Sequence, residues 1–120
     1  MLHSALFLVG FSCLLAHEMD AVRWGEWALL PVLSRLGDEA GYRAFTALHL
    51  PLYALLLWAL CGPAAPNPRL VVGLDLFLVI HLLLHLLLRN HPRNRFQSPF
   101  SWSLFAGAAI CGALDLLLAR

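Results

Sequence analysis

The chain has 120 residues, of which 61% are hydrophobic and only 12% are charged, and its formal net charge is +1. This length suits a single domain, and so few polar side chains cannot cover the surface of a water-soluble domain of that size. The small net charge argues against a nucleic-acid partner, and the long apolar blocks indicate a chain that lies in lipid.

Four apolar blocks predict four membrane-spanning helices within one domain, residues 1–120. The first block ends at Ala16, which is short for about 30 Å of hydrocarbon, so its helix is predicted to continue through polar residues to Asp20. Hydrocarbon offers no partner for an open sheet edge, so the predicted fold is all-α, a polytopic four-helix transmembrane bundle. The predicted spans are 2–20, 44–61, 70–88 and 101–119.

Arginines are distributed unequally between the predicted loops. The first and third loops, with their flanks, contain Arg23, Arg35, Arg43, Arg89, Arg93 and Arg95. The opposite side has only Arg69 and Arg120. The positive-inside rule places the arginine-rich loops in the cytoplasm and both termini on the non-cytoplasmic side. The first loop, residues 21–41, mixes apolar and charged side chains and is predicted to lie along the inner membrane surface as an amphipathic segment.

Histidines within the predicted spans indicate a site, because ionisable side chains in hydrocarbon are costly and need a reason. His81 and His85 are four residues apart and so present two imidazoles on one helix face. His17 and His49 are predicted to lie at the same depth in the inner leaflet. The pattern predicts a transition-metal site for Zn or Fe, with His17, His49, His81 and His85 as ligands.

Two carboxylates, Glu18 and Asp20, follow His17 directly in the sequence. They are predicted to complete the metal site or to act as catalytic acid–base groups. The resulting hypothesis is a small membrane protein that binds a metal and acts on a lipid-like substrate from the bilayer. The alternative is that these polar groups only form hydrogen bonds between helices and hold the bundle together.

Two further functions are compatible with the same residues. A tetrapyrrole such as haem, with His49 and either His81 or His85 as axial ligands, explains intramembrane histidines without the carboxylates. A non-catalytic accessory or assembly subunit of a membrane complex, or a narrow transporter, requires no cofactor. Membrane lipids are predicted partners, and a second copy or a partner helix is predicted to bind a ridge of small residues on span four. That ridge consists of Gly107, Ala108, Cys111 and Gly112.

One element of the chain resembles a known family. The segment His17-Glu18-Met19-Asp20-Ala21, followed by Glu26-Trp27, is similar to the His-Glu-x-Asp-Ala element of a family of small bacterial membrane proteins of unknown function. The likeness continues through Gly41-Tyr42-Arg43, His49-x-Pro51, Gly73-Leu74-Asp75, His81-x-x-x-His85 and Leu114-Asp115. The resemblance covers nearly the whole chain. It implies four spans and a location in the bacterial inner membrane, and it implies no activity.

Overall fold

The computed structural model describes residues 2–63 and 67–118, and within these ranges it contains four α-helices and no strand. The helices are α1 (Leu2–Trp24), α2 (Asp38–Cys61), α3 (Pro68–Leu87) and α4 (Pro99–Leu118). Each of these helices is long and apolar enough to cross a membrane, which confirms the predicted all-α class. Ala119 and Arg120, at the predicted end of span four, lie outside the described residues. The side of the membrane on which the termini lie stays a prediction.

Two helices extend further into the first loop than the hydropathy pattern predicts. Helix α1 continues to Trp24, whose indole Nε1 donates a hydrogen bond to Asp20 Oδ1 at 3.0 Å, one turn earlier. Helix α2 begins at Asp38 rather than at residue 44, and its first turn has two acidic residues, which are favoured at a helix N-terminus. Hydropathy marks only the apolar part of a helix, so it does not detect these polar turns.

The first loop, residues 25–37, contains two short 3₁₀ turns, Glu26–Leu29 and Leu33–Arg35. It lies beside the third loop, residues 88–98. Arg93 Nη1 of the third loop donates a hydrogen bond to the backbone oxygen of Ser34 at 3.1 Å. We call this end of the bundle the two-loop end. The segment predicted as one amphipathic stretch is thus divided among the end of α1, the two turns and the start of α2.

Helix α4 packs closely against both α1 and α3 through small residues, and these helices form what we call the three-helix core. Gly10 of α1 lies against Ala108 and Cys111 of α4. A methyl group at Gly112 of α4 would lie only 2.8 Å from the backbone oxygen of Asp75 on α3, so the absence of a side chain permits this close approach. The ridge of small residues predicted to bind a partner is therefore in contact with α1 and α3 of the same chain.

Helix α2 stands apart from the three-helix core and packs chiefly against the two 3₁₀ turns. Its buried residues, Gly41 and Phe45, are near its start. Farther along, Leu50 is 76% exposed and Trp58 is 71% exposed, so this part of the helix would face lipid. An apolar groove of about 700 Å³ separates the second half of α2 from α1 and α3.

Candidate metal centre

Four ionisable side chains converge at the two-loop end of the three-helix core. They are His17 of α1, His81 and His85 of α3, and Glu26 of the first 3₁₀ turn, and their ligand atoms all lie within 4.8 Å of one another. Nε2 of His85 lies 3.2 Å from Nε2 of both His17 and His81. The Glu26 carboxylate lies 3.2 Å from His17 Nε2 and 3.9 Å from His85 Nε2. We call these four residues the histidine cluster.

Hydrogen bonds alone do not account for the histidine cluster. An imidazole nitrogen carries one hydrogen or offers one lone pair, so Nε2 of His85 satisfies one of its two histidine contacts and not both. His17 is fully buried, and in the part of the chain that the structure describes its Nδ1 has no hydrogen-bond partner. A buried polar atom without a partner costs about 1–3 kcal/mol. A strong interaction of the other ring nitrogen of His17, Nε2, would offset the cost of leaving Nδ1 without a partner.

The spacing of the cluster suits a tetrahedral metal ion. Two ligands that each lie 2.0–2.1 Å from an ion, at the tetrahedral angle, are about 3.3–3.4 Å apart. The separations measured in the cluster are 3.2 Å for three pairs of atoms and 3.9 Å for a fourth. Small side-chain movements would therefore place three imidazole nitrogens and one carboxylate oxygen around a single ion. Such a donor set suits Zn or Fe.

Two local features of the chain bring these side chains together. His81 and His85 lie one turn apart on α3, and their ring centroids are 4.8 Å apart. Gly25, just after α1, has a φ of +71°, a left-handed conformation that glycine adopts without strain. This residue reverses the chain, so the first 3₁₀ turn folds back over the end of α1 and Glu26 reaches His17.

Two phenylalanine rings enclose part of the cluster. Phe105 of α4 stacks on His85, with ring centroids 4.3 Å apart and an interplanar angle of 1°. The Phe96 ring lies 5.0 Å from the same imidazole, and both phenylalanines are buried. His81, which packs beside Phe77, is the partly exposed member of the cluster. An additional ligand would therefore reach the cluster from the His81 side.

Glu26 is the acidic member of the cluster and lies outside the membrane-spanning segments. Burial raises the pKa of its carboxyl group, but the contact with His17 and the positive potential of the three imidazoles together have the larger effect. The pKa of Glu26 is therefore lowered from its ordinary value. The side chain is a carboxylate at neutral pH, which is the form that binds a cation.

The structure brings together three of the four histidines predicted as metal ligands, namely His17, His81 and His85. The fourth, His49 of α2, contacts Glu18 instead, with His49 Nε2 at 3.0 Å from Glu18 Oε2. Since α2 does not pack closely against α3, His49 lies outside the cluster, and the predicted equal depth of the four histidines stays a prediction. The role of these histidines as metal ligands stays a prediction.

The Glu18–His49 pair connects α1 to α2. Nδ1 of His49 lies 2.7 Å from the backbone oxygen of Phe45, which only accepts hydrogen bonds, so Nδ1 carries a hydrogen. His49 Nε2 is the ring nitrogen that faces the Glu18 carboxyl group. Asp20 is buried and accepts the hydrogen bond from Trp24. The catalytic roles predicted for Glu18 and Asp20 stay predictions.

Glu26 was not among the predicted ligands or catalytic residues, although the family resemblance includes it. It falls in the stretch interpreted as interfacial, where an acidic side chain is ordinary. The available signal is Gly25, because a glycine directly after a helix is typical of a chain reversal. Such a reversal returns the next residues toward the end of the helix that contains His17.

The four apolar helices are those of a membrane protein, and the histidine cluster gives it a candidate metal centre. The chain belongs to DUF6713, a family of unknown function whose sequence profile matches residues 3–120. The match includes every member of the histidine cluster. No curated protein and no solved structure matches the chain. The family assigns no activity.

Proposed function

We propose that this chain is a metal-binding integral membrane protein that holds one transition-metal ion, Zn or Fe, through His17, His81 and His85. Glu26 is the fourth ligand or the acid–base group beside the ion. The observation that supports this proposal is the convergence of three imidazoles and one carboxylate whose ligand atoms all lie within 4.8 Å of one another. The proposed location is a bacterial inner membrane with the two-loop end in the cytoplasm.

The chemistry that fits this donor set best is metal-assisted hydrolysis of a lipid-like substrate. A metal bound by three histidines lowers the pKa of bound water and polarises a substrate oxygen. The Glu26 carboxylate, 3.2 Å from His17 Nε2, would lie beside an ion bound there and would serve as the proton acceptor. Glu26 is therefore better placed for acid–base chemistry than Glu18 or Asp20, which have partners outside the cluster.

The substrate would enter sideways from the bilayer. His81 is the partly exposed side of the cluster, and the lining of the apolar groove on α3 ends at Val72, nine helical residues, or about 14 Å, before His81. Phe11 lines this groove on α1, and six helical residues, or about 9 Å, separate it from His17. A long apolar chain in the groove would bring its polar end toward the cluster.

The geometry favours a metal ion over a tetrapyrrole. A macrocycle between two axial histidines needs a flat slot, whereas the Nε2 atoms of His17 and His81 both lie 3.2 Å from Nε2 of His85, and Phe105 stacks directly on His85. A non-catalytic accessory subunit is the second candidate function. It is favoured by the many hydrogen-bonding groups in the cluster, which can stabilise a helix bundle without any ion.

Metal analysis of detergent-purified protein tests the proposal. We expect about one Zn or Fe ion per chain in the wild type and almost none in the double variant His81→Ala/His85→Ala. The control is His91→Ala, which removes a histidine of the third loop that contacts the backbone of Arg93. Metal well below one equivalent in the wild type, unchanged in the double variant, would favour the accessory subunit.

The variant Glu26→Gln distinguishes the two proposed roles of Glu26, as a ligand or as the acid–base group. It keeps the size of the side chain and removes its charge. If Glu26 is a ligand, we expect metal affinity to fall at least about tenfold. If Glu26 is the acid–base group, metal content stays and only turnover of a substrate is lost. Glu39→Gln, at an exposed site paired with Arg43, is the matched control and should change neither quantity.

A further inference from the structure

Two adjoining cavities lie between the first and third loops, at the two-loop end. Their volumes are about 450 Å³ and 760 Å³, and Ser34, Pro92 and Arg93 line both. Arg95 lines the first cavity and Arg35 the second. We call this region the arginine cleft and define it by Arg35, Arg93 and Arg95.

The cleft has an excess of positive charge. Among the ion pairs of residues 2–63 and 67–118, none joins an arginine of the cleft to a carboxylate. The acidic residue in its lining is Asp38 of α2, against three arginines. Arg43 differs, since its guanidinium lies 2.8 Å from Glu39. Guanidinium groups without a carboxylate partner suit phosphate, which they bind through paired N–H donors.

Apolar side chains flank the arginine cleft and indicate where its ligand comes from. Val32 is 75% exposed and Leu36 is 49% exposed, and both lie in the first loop next to residues that line the cleft. An exposed apolar side chain beside cationic groups is typical of a segment at the boundary between headgroups and acyl chains. A free phosphate ion would bind only the arginines, whereas a lipid would bind the arginines through its phosphate and contact the apolar side chains through its acyl chains.

We propose that the arginine cleft binds the phosphate headgroup of an anionic membrane lipid. The cleft is at the level where α1 and α3 end and α4 begins, which is the level of lipid headgroups if the helices span a bilayer. Trp27 and Ala28 line it, while the neighbouring Glu26 belongs to the histidine cluster. The lipid would thus hold the 3₁₀ turn that contains Glu26. The binding site itself does not depend on a bound metal.

Native mass spectrometry of the full-length protein in detergent tests this proposal. Phosphatidylglycerol and phosphatidylcholine with identical chains are added separately, and the dissociation constants are compared. We expect the wild type to prefer phosphatidylglycerol and the double variant Arg93→Gln/Arg95→Gln to bind it about 30-fold more weakly. This factor corresponds to about 1 kcal/mol for each arginine removed.

A charge-matched control separates the cleft from general electrostatic attraction. The variant Arg43→Gln/Arg89→Gln removes the same charge outside the cleft and should retain the preference. Arg93 also bonds to Ser34, so Arg95→Gln alone is the second variant and should weaken binding about fivefold, from about 1 kcal/mol. Equal affinity of the wild type for both lipids, or an equal loss in the control, would overturn the proposal. Displacement of phosphatidylglycerol by millimolar inorganic phosphate would assign the cleft to a free anion and contradict a lipid site.

Discussion

The three-helix core and α2 both contain histidines that were predicted to lie at one depth, yet the structure gives these histidines different partners. In the core, close packing of α1, α3 and α4 brings His17 and His85 to 3.2 Å of each other and buries both. On α2, His49 meets a single carboxylate of α1, and much of the helix is exposed. The comparison teaches that lateral packing, rather than depth in the membrane, decides which intramembrane histidines can share a ligand.

The largest difference between the two regions should appear in metal affinity. We expect His17→Gln to weaken Zn binding by more than about 100-fold, because residues that merely support a ligand account for 10–100-fold. His49→Gln should change it by less than about twofold, since His49 lies with Glu18 outside the cluster. Competition with a coloured chelator measures both values, and circular dichroism checks folding. An equal loss in the two variants would mean that α2 closes onto the cluster.

The next largest difference should appear in the free energy of unfolding. Leu78 of α3 is 1% exposed in the core, whereas Leu50 of α2 is 76% exposed. We expect Leu78→Ala to destabilise the protein by about 2–3 kcal/mol because it leaves a cavity. Leu50→Ala should change stability by less than about 0.5 kcal/mol. Unfolding in mixed micelles with increasing SDS measures both. A large loss for Leu50→Ala would show that α2 is covered by another part of the protein or by a second copy.

The smallest expected effect concerns the contact that joins the two regions. A double-mutant cycle on Glu18→Gln and His49→Gln should give a coupling free energy of about 1 kcal/mol, since hydrogen bonds between membrane helices contribute about 0.6 kcal/mol on average and about 1.7 kcal/mol at most. The same unfolding experiment measures it. Metal content should remain at wild-type level in all three variants. A coupling near zero would mean that the 3₁₀ turns alone hold α2.

Much of the fold could be predicted from the sequence because lipid restricts the available structures. Long apolar blocks allow only helices, and the i, i+4 spacing of His81 and His85 places both rings on one face of α3. His17 could be included because the first apolar block is too short to cross the bilayer alone. These inferences follow from helix geometry within one segment, and they need no knowledge of how helices pack.

The rest of the candidate site depends on tertiary contacts that a linear pattern does not contain. The prediction for His49 assumed that all four helices surround one interior. In the structure, α4 packs closely against α1 and α3, and α2 lies apart from them. Glu26 was overlooked because it reaches His17 only through the chain reversal at Gly25. Gly112, one of the small residues of α4, meets α3 of the same chain, and the predicted partner surface on this helix stays a prediction. In each case the sequence shows the type of residue and indicates its helix face, whereas tertiary packing determines which side chains that residue contacts.

X-ray absorption spectroscopy on the zinc-loaded, purified protein tests the central claim most directly. The proposed site predicts three imidazole nitrogens and one oxygen at about 2.0–2.2 Å from the metal. It also predicts that the number of imidazole ligands detected around the metal falls from three to two in His17→Gln. A metal surrounded by oxygen or sulfur alone, or a spectrum that His17→Gln leaves unchanged, would contradict a centre built from the histidine cluster.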